Sequence, residues 1–99
     1  MKLPRRTTIA GQRVCVRIER LRGCDGDCDS PGTTHRSIRV HSPLLKDARQ
    51  KRLAEVLVHE ALHAAAWPID EEIVKTFAED AVELLWRFGY RRVIGEGGK

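Results

Sequence analysis

Polar and apolar residues alternate with period two in short stretches of the first half of the chain, then change to helical spacing. From Gln12, Val14, Val16 and Ile18 fall on one side, with Arg13, Cys15, Arg17 and Glu19 on the other. That alternation predicts a half-buried strand. Ser37 to His41 alternates again, with Ile38 and Val40 inward. Thr7 to Ile9 is a further short strand, and Ala10-Gly11 a turn. Arg22 to Arg36 is rich in Gly, Asp, Ser and Thr and reads as a loop.

Ser42-Pro43 breaks the strand before it. The main helix is expected to start between Pro43 and Asp47 and to run to about Ala66. Its first half carries Lys46, Asp47, Arg49, Lys51, Arg52 and Glu55, so it lies near solvent. Its second half, Val56 to Trp67, is apolar except for His59, Glu60 and His63. A helix that is apolar nearly all round is a buried one. Trp67-Pro68 ends it, because the residue before proline is pushed out of helical geometry. Asp70 is placed as the N-cap of a second helix, with Ile69 and Val74 at the positions of a hydrophobic staple. That helix runs to about Phe88, with Gly89 as its stop. Val74, Ala78, Ala81, Val82 and Leu85 make its inner stripe, with Phe77 and Leu84 alongside, and Glu72, Lys75, Thr76, Glu79 and Glu83 its polar face. Arg91 to Ile94 is read as a short extended piece and Gly95 to Lys99 as a loose tail. The expected fold is α+β: a small twisted sheet packed on two helices, one domain over residues 1–99.

Ninety-nine residues leave room for one small core, which a bound metal would reinforce. No apolar run approaches the roughly 20 residues of a membrane span. The odd number of cysteines, three, suits free thiols in a reducing compartment, so the expected location is cytoplasmic. Charge is unevenly spread. Residues 1–22 carry seven Lys/Arg against Glu19, whereas residues 68–88 carry six acids against Lys75 and Arg87. The basic segment is compatible with nucleic acid, although a solvated sheet face is the simpler explanation.

The chemistry is concentrated in His59-Glu60-Ala61-Leu62-His63, an H-E-x-x-H motif. Burying two imidazoles and a carboxylate costs several kcal/mol, at roughly 2–7 per unpaired polar group, unless something pairs with them. On a helix His59 and His63 stand one turn apart on one face, and Glu60 lies about 100° round. Two ring nitrogens can then converge on Zn²⁺, with Glu60 placed to reach a water on the metal. A catalytic zinc needs a third protein ligand. Folding the second helix back over the first sets Glu71 or Glu72 opposite His63. Helical phase favours Glu71, which heads the apolar stripe; Glu72 continues the solvent stripe. Both could also serve merely to complement the helix N-terminus. Other groupings are weaker. Cys24, Cys28, His35 and His41 do not follow the spacing of a structural zinc module. Asp25, Asp27 and Asp29 resemble a calcium loop, but its sixth position is Ser30 and its twelfth Arg36, so an EF-hand is rejected.

The order of pieces resembles the zincin metallopeptidases, and among them the small minigluzincins and the metallopeptidases of phages and prophages. The pieces are Gly11, Val14-Cys15-Val16, Gly26 to Asp29, Ile38-Arg39-Val40, Leu57 to Ala64 and Glu71 to Ala78. The resemblance implies His59, His63 and Glu71 as zinc ligands and Glu60 as general base. It also implies that Ser37 to His41 is the sheet edge that pairs with an extended peptide. The expected function is a gluzincin-like zinc peptidase acting on a peptide or protein substrate through a zinc-activated water. Two alternatives stand beside it. One is a zinc-stabilised binding module for nucleic acid or a protein. The other is a latent peptidase masked by its C-terminal tail. Tyr90 and His41 are the candidates for steadying the oxyanion.

Overall fold

The structure, a computed structural model, describes residues 5–92. Half of the expected extended piece at 91–94 falls outside them, Arg91 and Arg92 belonging to no strand, and the tail at 95–99 lies wholly outside. The architecture is α+β, a four-stranded mixed sheet with two helices.

Strands β1 (Arg6–Ile9) and β2 (Gln12–Glu19) form an antiparallel hairpin. Ala10 and Gly11 between them both have positive φ, 50° and 79°. This is the turn whose twist matches that of the two strands. The next strand, β3 (Gly26–Cys28), lies within the stretch expected to be loop, and β4 (Ser37–His41) follows. The spatial order is β1-β2-β4-β3. β4 pairs in parallel with β2 and antiparallel with β3.

This order corrects one expectation. Ser37–His41 is an inner strand, and β3 is the edge. The physical reason is an anchor that local pattern does not show. Arg39 on β4 reaches Asp27 at 2.6 Å and Asp29 at 2.5 Å, and Asp29 Oδ2 accepts the Ser37 amide at 3.0 Å. Asp25 pairs with Arg52 at 2.9 Å. The three aspartates at alternate positions therefore clamp an added strand to its neighbours.

Helix α1 (Gln50–Ala65) is preceded by two 3-10 turns, Ser42–Leu45 and Asp47–Arg49. The expected helix start at 43–47 is thus met by tighter turns. Proline fits the first turn of such a segment because its missing N–H costs nothing there. Helix α2 (Glu71–Arg87) starts where expected: the Asp70 side chain accepts the Glu72 amide at 2.8 Å. Gly89 takes φ of +91° just beyond the helix, a conformation that favours glycine.

α1 lies across the inner face of the sheet, and Val14, Ile38, Val40, Leu44, Leu53, Val56 and Ala64 form the core between them. α2 packs chiefly on α1, burying Val74, Ala78 and Val82; Leu85, Phe77 and Leu84, expected on or beside that stripe, stay exposed because none of the described elements covers that side of the helix. Sandwiching on two sides explains why the second half of α1 is apolar almost all round. It also explains why Leu57, 40% exposed, is not buried: the third side is open. None of the described helices is long and apolar enough to cross a membrane.

Candidate metal centre

The helical hairpin brings three donors together. His59 Nε2 lies 2.9 Å from Glu71 Oε2, and His63 Nε2 lies 2.8 Å from Glu71 Oε1. The imidazoles come from successive turns of α1, with ring centroids 4.9 Å apart. Glu71 comes from the first residue of α2, folded back over them. All three donor atoms lie within 4.8 Å of one another, and the cluster could hold a metal ion. Glu72 is not part of it. Glu71 leads the buried stripe, yet its own side chain is 65% exposed, because it stands at the helix start and leans into an open cleft.

Glu60 occupies a different environment. It is 6% exposed, tucked between α1 and β3. Burial pushes its carboxyl up to about 7, and the charges of Asp27 and Glu71 push the same way, against Arg39. A carboxylate with its pKa near neutrality is suited to taking and returning a proton.

The cleft over these groups has a volume of about 430 Å³; Gly26, Asp27, Cys28 and Trp67 complete its lining. Sequence reasoning assigned none of the four. The signal for β3 was present in Asp25-x-Asp27-x-Asp29, since acids at every second position are also a strand pattern. Gly26 has a packing reason. A Cβ there would meet Val56 Cγ1 at 2.5 Å and Glu60 Cγ at 3.3 Å, so only glycine lets β3 lie this close to α1. Burial raises the Cys28 thiol, with Arg36 opposing, so it is held neutral and is not an activated nucleophile.

Arg36 supports the centre from behind. It is 6% exposed and donates to Ala64 O at 3.0 Å, Asp29 O at 2.9 Å and Gln12 Oε1 at 3.1 Å. It therefore satisfies a carbonyl at the end of α1 while tying that end to β3 and β2. Its guanidinium also sits 5.8 Å from the centre of the Trp67 ring.

The other candidates lie elsewhere. His41 Nδ1 accepts the Leu21 amide at 2.9 Å, and Tyr90 follows the far end of α2; neither lines the cleft. Among the described residues, Cys24, Cys28, His35 and His41 form no metal-binding group.

A mixed sheet whose edge strand overhangs an H-E-x-x-H helix, with a third donor from the next helix, defines a zincin-like domain. Residues 3–76 match the SprT-like family, so the chain belongs to that family, which is part of the zincin-like metallopeptidase superfamily. The matched span includes His59, Glu60, His63 and Glu71. It does not carry the narrower likeness to minigluzincins or phage proteins. No curated protein and no solved structure matches the chain.

Proposed function

We propose that the protein is a zinc-dependent peptidase of gluzincin type. The observation that carries this reading is the meeting of His59, His63 and Glu71 beside a buried Glu60, in one cleft. The donor set fits zinc: two imidazole nitrogens and one carboxylate are three protein ligands, as in catalytic sites, whereas structural zinc is normally closed by four. When bound, zinc supplies Lewis acidity, polarising a carbonyl and making water easier to deprotonate.

Glu60 does the proton work. Its carboxylate takes a proton from the attacking water and gives it to the leaving amine. Burial favours the protonated form it must pass through. The low-dielectric contact with β3 also keeps bulk water from competing for that proton.

β3 binds the substrate. Asp25 and Asp29 exchange backbone bonds with β4, through His41 N to Asp25 O at 2.8 Å and Asp29 N to Ser37 O at 3.0 Å. The alternation of an antiparallel ladder then turns the N–H and C=O of Gly26 and Cys28 to the free edge. An extended peptide can add there as a further strand and run over Glu60.

The test compares the zinc-loaded chain with Glu60→Gln on a broad peptide library. Glu60→Gln should keep its zinc and its fold and lose about 10²–10⁴-fold in hydrolysis. Equal turnover by both proteins would sink the general-base role. Zinc at one per chain, with no cleavage by either, would favour a zinc-stabilised binding module instead.

A further inference from the structure

α2 carries more apolar surface than the fold uses. Val74, Ala78 and Val82 face α1 and are buried. Beside them runs a second row: Ile73, Phe77, Leu84 and Phe88 are 57%, 52%, 59% and 79% exposed. At 100° per residue these four fall within about 60° of arc, so they form one ridge along the helix. With neighbouring Leu85 the ridge presents roughly 600 Å² of apolar surface, the upper end of what a monomer exposes.

The ridge is symmetric about its own middle. Ile73 and Phe88 are equally distant from the point between Asp80 and Ala81, and so are Phe77 and Leu84. The charges at its ends have opposite sign, and Asp70 and Arg91 are themselves equally distant from that point. Asp70 and Glu72 lie at one end; Arg87 and Arg91 lie at the other. A surface of this kind is complementary to a copy of itself turned through 180°.

We propose that α2 is the interface of a homodimer in which two copies pack antiparallel through this ridge. Ile73 of one copy meets Phe88 of the other, and Phe77 meets Leu84, each pair formed twice about a twofold axis. The acidic start of each helix meets the basic end of its partner, which also sets the helix dipoles in opposition. A parallel arrangement would bring like charges together at both ends. Asp80 lies only about 20° outside that arc, so the two Asp80 side chains approach each other near the axis, and their like charge weakens the association at low ionic strength. Two such patches remove at most about 1,200 Å² from water, which sets this dimer among weak, transient interfaces. The dimer is therefore concentration-dependent. Because α2 starts at Glu71, the far end of one copy's helix lies alongside the mouth of the other copy's cleft. The dimer does not depend on the peptidase reading.

The experiment is sedimentation equilibrium of the full zinc-loaded chain from low micromolar to sub-millimolar concentration. The mass should rise from 11.2 kDa toward twice that value. Phe77→Lys and Leu84→Glu, each alone, should hold it at the single-chain mass, with unchanged circular dichroism because both positions are more than half exposed. Combining them on one chain faces Lys with Glu across the axis twice, and should restore the dimer. Three results overturn the proposal. One is a single-chain mass for the wild type at the highest concentration. Another is a combined variant that stays monomeric, which rejects the antiparallel register. The third is a monomeric full chain whose truncation at Arg92 dimerises, which assigns the ridge to residues 93–99.

Discussion

Gly26→Ala tests how closely β3 is fitted to the helix that carries the H-E-x-x-H motif. Gly26 is not among the glycines with positive φ, so alanine is allowed there conformationally. Its smaller unfolded-state entropy would stabilise the protein by about 0.4–1 kcal/mol. Sterics oppose this. The new methyl would lie 2.5 Å from Val56 Cγ1, 3.2 Å from Arg39 O and 3.3 Å from Glu60 Cγ. Carbon atoms prefer about 3.5–4.0 Å, so β3 or α1 must yield by roughly 1 Å. Overpacking of this kind costs about 1–3 kcal/mol. The clash outweighs the entropy term and leaves a net loss on the order of 1–2 kcal/mol. In a domain this small each kcal/mol lowers Tm by about 4–8 °C. Thermal melts of Gly26→Ala, Val56→Ala and the pair measure this directly. Val56 is 3% exposed, and its truncation alone costs about 2 kcal/mol. Truncating Val56 removes the atom that clashes, so the pair should be more stable than the sum of the singles by about 1 kcal/mol. Zinc content should not change, since no metal-binding donor is among the close contacts. A Gly26→Ala melt at or above wild type, or strict additivity in the pair, refutes the argument.

Other perturbations separate the parts of the site. Glu71→Ala should lower zinc occupancy far more than Glu72→Ala in metal analysis, and His59→Ala and His63→Ala should each abolish it. Arg36→Met removes a buried cation and the donors that meet Ala64 O and Asp29 O; urea midpoints should report a loss of about 2–4 kcal/mol. The Asp29 carboxyl is held below its ordinary 3.8, first by its hydrogen bond from Arg39. Its stabilisation is complete above that ordinary value and is lost as pH falls through the lowered one. Urea midpoints between neutral pH and pH 3 should therefore fall less steeply with acid in Asp29→Asn than in the wild type, and parallel slopes would remove the role.

The parts of the fold that sequence revealed are those with local causes. β2 and the inner strand β4 show their alternation because one face of each is buried, at Val14, Ile38 and Val40. Asp70 announces the second helix because a cap is chemistry within three residues. Hairpin geometry and helical phase favoured Glu71 over Glu72, and Glu71 is the one that lies with the two imidazoles. β3 escaped because its stability comes from elsewhere. Gly26 and Asp27 are poor strand formers, and the residue that holds them, Arg39, is some dozen positions away on another strand. Missing that contact also misplaced the sheet edge. Arg36 gave no sign of its role, because a lone arginine in a polar loop reads as surface until the carbonyl of Ala64 comes to meet it.

The fastening of β3 has a consequence for motion. It shares only three ladder pairs with its neighbour and gives the core little besides Cys28; charge at half-exposed positions does the rest. Apolar burial is indifferent to moderate salt, whereas such charge pairs weaken as the screening length falls from about 10 Å at 0.1 M to about 3 Å at 1 M. The strand can therefore detach by itself while the sheet and α1 stay folded. Hydrogen exchange at the amides of Asp27 and Asp29 should quicken with ionic strength, with those of Val14 and Ile38 unaffected. The cleft over Glu60 then has an adjustable wall, whose position varies with the salt around it.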